Sequence, residues 1–193
     1  MKRTKKLYGF ILALLIIFLS IFIVVAPTFF SKDIARASVD EVIDFDLLLE
    51  GESKIELVFF GYSGCAKICT PRLQDLSKYY NSLNSQMRDK LTVVFLDISQ
   101  PEDKNLPKDF AAHFHEDFKG IYLSNDNLRV YTKAFQVYFA QSLFDPQEFN
   151  HSSNLYLITK NKGIKKLRYI YNAYPFDFKQ ITLDIKDLMN ESI

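Results

Sequence analysis

The chain has 193 residues, a formal net charge of +1 and nearly half apolar residues, enough for one folded domain with an appendage. The near-neutral balance excludes the strongly basic surface of a nucleic-acid-binding protein. Two cysteines in so long a chain exclude a small scaffold held together by disulfides.

The N-terminal segment predicts a membrane anchor. Leu7 to Ala26 carries no charge, and twenty such residues are enough to cross a hydrocarbon core. The basic residues before it predict a cytoplasmic N-terminus, with the remainder of the chain on the far side of the membrane. A cleaved signal peptide is the competing interpretation, since Ala35-Arg36-Ala37 is similar to a cleavage site, although it lies well beyond the apolar run. In both interpretations the domain is exported.

The chain divides into residues 1–27, the basic tip and anchor, residues 28–40, a linker, and residues 41–193, the folded domain. Strands alternate with helices in this domain, which closes with a hairpin and a last helix. This order predicts an α/β, thioredoxin-like fold with a central mixed sheet flanked by helices. The predicted elements are Val42 to Leu49 (helix or strand), a strand over Ile55 to Phe60, a helix over Ala66 to Leu83, a strand over Leu91 to Ile98, a helix over Pro107 to Phe118, a strand over Gly120 to Ser124, a helix capped by Asn125 or Asp126, a loop to Ser153, strands over Leu155 to Thr159 and Leu167 to Tyr171, and a last helix that buries Phe178, Ile181, Ile185 and Leu188.

Both cysteines lie where the strand predicted over Ile55 to Phe60 passes into a helix, in Phe59-Phe60-Gly61-Tyr62-Ser63-Gly64-Cys65-Ala66-Lys67-Ile68-Cys69. Sites in open α/β sheets are built at this position, outside the carboxyl ends of the strands. If Cys65 starts the helix, it lies on the same face as Cys69, with about 5–6 Å between their Cβ atoms. This spacing suits a reversible disulfide or a shared metal ion.

The surroundings of the two thiols favour their ionised form. A helix N-terminus lowers a thiol pKa, and Lys67 and Arg72 add positive charge. Thiolates favour soft ions, copper(I) above all. The alternative for a CxxxC pair is an ordinary structural disulfide or two buried thiols.

One of the three histidines is a candidate third ligand. His151 comes just before a predicted strand, and in a thioredoxin-like sheet the loop entering that strand faces the cysteine-bearing turn. A neutral imidazole there would complete a three-coordinate site with Cys65 and Cys69. A lone histidine is more often not a ligand, so spacing alone leaves this open. His113 and His115 are two residues apart and point to different faces of a helix, which predicts surface histidines.

Two motifs together resemble the signature of the Sco (SenC) family: Val58 to Cys69, and Asn150-His151-Ser152-Ser153 running into the next strand. The resemblance covers roughly residues 55–190. It implies a membrane-anchored, thioredoxin-like copper chaperone that binds one copper ion, as copper(I) or copper(II), through Cys65, Cys69 and His151. The two cysteines would also form a redox pair. The implied function is delivery of copper to the binuclear copper site of cytochrome c oxidase, or reduction of that site's cysteines.

The resemblance also implies partners and a place in the cell. The partners would be the copper-bearing subunit of cytochrome c oxidase and a thiol reductant or another copper chaperone, with the membrane held through the N-terminal helix. The protein would be a metallochaperone rather than an enzyme, apart from thiol–disulfide exchange. The short basic N-terminus favours a single pass through a bacterial inner membrane, with a periplasmic domain, over the mitochondrial inner membrane.

The chain departs from the family pattern at several positions. Ala66 and Lys67 replace the usual proline and aspartate between the cysteines, and the following proline is displaced to Pro71. Gln100 and Asn150 replace the usual acids before the next loop's proline and before the histidine. A lysine in place of an acid beside the thiolates is expected to disfavour a divalent ion.

Three other functions fit parts of the sequence. An exported thiol–disulfide reductase with no obligatory metal would need both cysteines but not His151. A peroxidase of the peroxiredoxin type expects Thr-x-x-Cys, and neither cysteine has a threonine three residues before it. An inert binding module would hold the cysteines in a permanent disulfide.

Overall fold

The structure is a computed structural model that describes Tyr8 and residues 11–25, 35–49, 54–143 and 148–191. The chain divides into two compact units, residues 1–36 and 37–193. In the first unit, residues 11–25 are helical and are named α1. Among the helices that the structure describes, none has both the length and the hydropathy of a membrane span. The ends of the predicted anchor, Leu7 to Ala26, lie outside the described residues.

The second unit is built on a mixed six-stranded sheet. Its strands and those of a separate hairpin are β1 (Arg36–Ile43), β2 (Ile55–Gly61), β3 (Leu91–Asp97), β4 (Lys119–Tyr122), β5 (Phe139–Gln141), β6 (Phe149–His151), β7 (Leu155–Asn161) and β8 (Ile164–Tyr171). Its helices are α2 (Cys69–Ser82), α3 (Ser85–Arg88), α4 (Leu106–Phe114), α5 (Asn125–Ala134) and α6 (Phe178–Glu191). The strand order of the sheet is β1-β8-β7-β2-β3-β4, and β5 pairs with β6.

The direction of the strands brings the cysteine motif and the histidine to one edge of the sheet. β2, β3 and β4 are parallel, whereas β7 is antiparallel to both β2 and β8. β7 therefore starts at the edge where β2 and β3 end, with Leu155 opposite Phe59 and Asp97 opposite Gly61. The predicted mixed sheet is confirmed, and so is the prediction that the loop entering β7 lies beside the cysteines.

Helices cover both faces of the sheet around β2, which is buried along its whole length. Successive side chains of a strand point to opposite faces. Phe59 packs against Phe95, whose ring lies 5.2 Å from that of Phe110 in α4. Phe60 points the other way, 5.3 Å from the ring of Phe135 at the end of α5. Burial on both faces explains why β2 is an unbroken apolar run rather than an alternating one.

Two regions differ from the prediction because their strands are short or exposed. β1 begins at Arg36, inside the predicted linker, and most of its residues are exposed or only half-buried. As an edge strand it has no continuous apolar face for a pattern to reveal. The predicted loop before Ser153 contains the β5–β6 hairpin, whose three-residue strands are too short to show a period. The predicted cap of α5 is also corrected, since the Ser124 side chain accepts the Asn127 N–H at 3.3 Å.

Candidate metal centre

The cysteine turn connects the end of β2 to the start of α2. The Tyr62 carbonyl accepts the Cys65 N–H at 3.2 Å, and the Cys65 carbonyl accepts the N–H and the hydroxyl of Thr70 at 3.1 and 3.0 Å. Cys65 therefore lies in a turn before the helix, which begins at Cys69 and not at the predicted Ala66. Pro71 occupies the first turn of α2, where its missing N–H is not needed. The two residues still meet, because the Cys69 N–H donates to Cys65 Sγ at 3.3 Å.

A buried carboxylate fixes this turn to the neighbouring strand. Asp97, the last residue of β3, is fully buried. Its Oδ2 accepts the N–H and the hydroxyl of Ser63 at 2.8 and 2.5 Å, and its Oδ1 accepts the N–H and the hydroxyl of Ser99 at 2.7 and 2.6 Å. Four donors compensate one buried charge. Sequence reasoning missed Asp97, although an acid that ends a buried apolar strand is a usable signal.

The β5–β6 hairpin positions the histidine. His151 pairs with Phe139 across the hairpin. Its Nδ1 lies 2.9 Å from the Ser152 carbonyl oxygen. Because a carbonyl oxygen only accepts, Nδ1 carries the proton and Nε2 keeps its lone pair. Nε2 lies 3.6 Å from Cys69 Sγ, so the free lone pair faces the cysteines.

The three predicted site residues meet at one point. One ligand atom each from Cys65, Cys69 and His151 can be chosen such that all lie within 4.8 Å of one another. Both cysteines are buried and reduced. Two thiols and an imidazole with a free Nε2 are a donor set that suits copper(I), so the residues present fit a soft metal ion. The cluster joins the turn after β2 to the β5–β6 hairpin, which lie far apart in the sequence and meet because β7 runs antiparallel to β2.

The other two histidines lie outside this cluster. His113 is exposed on α4, as predicted. His115 is half-buried rather than exposed: its ring packs edge-on against Tyr80 and stacks with Phe118, and its Nε2 lies 3.2 Å from Asn81 Oδ1. His115 is more buried than predicted because the helix ends at Phe114, so its side chain no longer follows helical spacing.

The two thiols are electrostatically unlike. A hydrogen bond from Cys69 lowers the pKa of Cys65 well below its usual range, against the opposing effect of burial. The same hydrogen bond and burial raise the pKa of Cys69. Of the two thiols, Cys65 is therefore the one that ionises more readily, and Cys69 is its hydrogen-bond donor.

The two basic side chains named from the sequence differ in their surroundings. Lys67 is 78% exposed, and its Nζ lies 2.7 Å from Glu148 Oε1. Arg72 is half-buried in α2, and its charge acts to lower the pKa of Cys69. Of the two cations, Arg72 is therefore the one whose charge is less screened by solvent.

Tyr62 forms a wall of the site that sequence reasoning did not identify. Its ring centroid lies 5.4 Å from that of Phe149 and 6.0 Å from that of His151, edge-on to the imidazole. Burial raises the pKa of Tyr62, and a hydrogen bond to Cys65 raises it further. Tyr62 therefore brings a neutral phenol to the side of the site next to Cys65.

One prediction concerns the ionisation of Cys65. At about pH 6, below the ordinary thiol pKa of about 8.5, we expect the reduced protein to show the ultraviolet absorbance of one thiolate. Cys69→Ser removes the thiol whose hydrogen bond contributes most to the shift, so its thiolate absorbance is expected to appear at higher pH. A pH titration of the absorbance measures both. Cys65→Ser is the control and should show no thiolate at about pH 6; wild-type absorbance that rises only above about pH 8 would contradict the prediction.

The fold and the cluster define a domain with a Cys-Cys-His group at the carboxyl edge of a mixed sheet, and comparisons with known proteins place it. The SCO1/SenC family model matches residues 50–190. A SCO2-like protein of Rickettsia conorii is 29% identical over 136 residues, which cover 68% of this chain and 63% of that protein. The match thus spans a little less than two thirds of that relative's length.

Solved structures share the fold. Yeast Sco1 with copper bound superposes with a TM-score of 0.57 at 22% identity, covering 72% of this chain and 78% of that one. BsSco, a member of the Sco family of cytochrome c oxidase assembly proteins in which a disulfide switch was identified, gives a TM-score of 0.55 at 19% identity, covering 72% and 83%. At these identities the likeness shows the fold alone, and it confirms the thioredoxin-like prediction. With the family match over most of the folded domain, the chain belongs to the SCO1/SenC family.

Proposed function

We propose that this chain binds one copper ion through Cys65, Cys69 and His151 and serves the assembly of the binuclear copper site of cytochrome c oxidase. The observation that carries the proposal is the meeting of these three side chains within 4.8 Å in a chain of the SCO1/SenC family. Copper is here a cargo that the site holds and passes on. The copper-bound yeast relative and the oxidase assembly role of the BsSco family support the same function.

The site prepares its own ligands. The pKa of Cys65 is lowered and that of Cys69 is raised, so Cys69 is the ligand whose proton is harder to remove when the ion binds. His151 is held in the tautomer that leaves Nε2 free. The bound ion would supply a positive charge that stabilises both thiolates, so both sulfurs can be ionised at the same time. We expect the two sulfurs and Nε2 to bind the ion without a change of tautomer.

We further propose that the domain works on the exported side of a bacterial inner membrane, anchored by Leu7 to Ala26. The uncharged run and the basic residues before it support this orientation. The partner that receives copper or electrons would be the copper-bearing subunit of cytochrome c oxidase. A thiol reductant or another copper chaperone would restore the reduced or loaded state.

The test is anaerobic competition for copper(I) between the reduced full-length protein and a chelator of known affinity. We expect one tightly held ion, an affinity loss of at least about 1000-fold in Cys65→Ser, and a loss of about 100-fold in His151→Ala. His113→Ala is the control, because His113 is an exposed histidine on α4 and should leave the affinity unchanged. Absence of specific copper binding by the wild-type protein would reject the proposal.

A second candidate, a thiol–disulfide reductase, is favoured by the thiolate–thiol pair. Cys65 would attack a substrate disulfide, and Cys69 would then release the reduced substrate by closing a Cys65–Cys69 disulfide, with two electrons passing to the substrate. This function does not need His151 as a ligand. Copper binding that is indifferent to His151, together with a strongly reducing potential of the cysteine pair, would favour it.

A further inference from the structure

Arg72 is fixed beside the cysteine pair. It follows Cys69 by three residues in α2, a spacing that places both side chains on one side of a helix. Its Nη1 donates to the Ile68 carbonyl at 3.2 Å, and its Nη2 donates to Ser153 Oγ at 3.0 Å. The guanidinium carbon lies 4.2 Å from the ring centroid of Tyr174. These contacts hold the cation between the cysteine helix and the segment that follows the histidine.

The charge of Arg72 is not matched by a carboxylate. None of the ion pairs that the structure records among the described residues includes Arg72. Its Nε is buried and has no hydrogen-bond partner within the described part of the chain. The neighbouring acid, Asp75, accepts instead from Tyr174 and Lys78. No carboxylate neutralises this half-buried cation, and its contacts with the Ile68 carbonyl and Ser153 keep it next to the cysteine turn and the segment that follows His151, so its field acts on that site.

Lys67 does not share this role. It takes the place of the acid that the family pattern expects between the cysteines, but its charge is compensated by Glu148 and its side chain is mostly in solvent. Water and a paired carboxylate screen such a charge. Lys67, the departure from the family pattern that stood out in the sequence, therefore has a weaker effect on the site than Arg72.

A fixed positive charge beside the site acts differently on the two copper ions. Arg72 repels an ion of charge +2 twice as strongly as an ion of charge +1 at the same position. It therefore lowers the affinity for copper(II) more than the affinity for copper(I).

We propose that Arg72 is the specificity-determining residue that makes the Cys65–Cys69–His151 site favour monovalent over divalent copper. The inference rests on the proposed function, since it concerns the same site. Arg72 acts through its fixed charge rather than through contact with the ion, so it is a positioning and electrostatic residue and not a ligand.

The test compares the affinities of the reduced full-length protein for copper(I) and copper(II), each measured separately without oxygen, in matched variants. In Arg72→Gln, which keeps polar atoms but removes the charge, we expect the ratio of copper(I) to copper(II) affinity to fall by about tenfold. Arg72→Lys keeps the charge and should hold most of the wild-type ratio. Arg72→Met, which keeps contact with the Tyr174 ring, is the second neutral variant, and its ratio should fall as in Arg72→Gln. Thermal unfolding checks that each variant is folded.

Lys67→Gln is the control, and its ratio should stay within about threefold of the wild type because the lysine is exposed and paired. If both copper affinities fall by the same factor in the neutral variants, Arg72 is only structural and the inference is rejected while the proposed function stands. An equal shift of the ratio in Lys67→Gln would also reject it. If the wild-type protein binds no copper, the proposed function falls and the inference falls with it.

Discussion

Replacing Gly61 with alanine is expected to destabilise the domain by about 1–3 kcal/mol and to weaken copper(I) binding by about tenfold or more. A Cβ atom at this position would lie 2.6 Å from Cys69 Sγ and 2.9 Å from a ring carbon of Phe95. Both neighbours are fully buried, so neither moves freely. The sulfur must shift from its place beside His151, and the site loses its geometry. Urea unfolding and copper(I) competition measure the two effects.

Gly120→Ala separates the loss of stability from the loss of the site. A Cβ on Gly120 would overlap the Pro107 carbonyl group, so this variant is also destabilised. Gly120 lies in β4 and contacts none of the candidate ligands, so the folded protein should bind copper(I) as tightly as the wild type. Wild-type copper affinity in Gly61→Ala would show that the glycine does not make room for the sulfur.

Asp97→Asn is expected to lower the free energy of unfolding by about 2–4 kcal/mol. An amide offers one accepting oxygen where the carboxylate has two, and its NH₂ group would face the N–H and hydroxyl donors of Ser63 or Ser99. The buried donors on that side then lack an acceptor. Because Ser63 lies two residues before Cys65, we also expect the cysteine turn to loosen.

Denaturant unfolding of Asp97→Asn beside Asp187→Asn measures this effect. Asp187 is an exposed acid on α6, and its substitution should change stability by no more than about 0.5 kcal/mol. Equal, small losses in both variants would mean that the four hydrogen bonds of Asp97 contribute little beyond what water would provide.

The elements that bury apolar surface on both sides could be predicted from the sequence. β2 is an unbroken apolar run that ends in Gly61, and the 4–3 spacing after Cys69 marks α2, so the strand-to-helix position of the cysteines followed from pattern alone. Predicting His151 as a ligand also required knowing which strand of the sheet follows it. Parallel and antiparallel pairing around β2 then fixes the edge at which it lies.

The rest depended on contacts between distant parts of the chain, which no local pattern encodes. Lys67 was expected to act on the thiolates, but Glu148, 81 residues away, pairs with it in solvent. Arg72 was expected to add positive charge beside the thiols, but its contacts with Ser153 and the Tyr174 ring, which fix it there, involve residues about 80 and 100 positions away.

Local geometry limited the prediction as well. The start of α2 was predicted three residues early, because the wide turn closed by Cys65 and Thr70 resembles a helical turn in spacing but not in hydrogen bonding. The β5–β6 hairpin has strands of only three residues, so its pairing depends on the register between Phe139 and His151 and not on a hydrophobic period.

The separation of Cys69 and His151 by 82 residues has a consequence for the synthesis and folding of the protein. The two thiols leave the ribosome, and on the proposed topology cross the membrane, long before the histidine and the strands that bring it to them. During that interval the thiols have neither the imidazole nor the Asp97-anchored turn around them, and they are open to oxidation. The metal centre is thus complete only when the whole sheet has closed. An ion that binds only the folded domain raises its free energy of unfolding, by about 4 kcal/mol when free copper is about a thousand times the Kd.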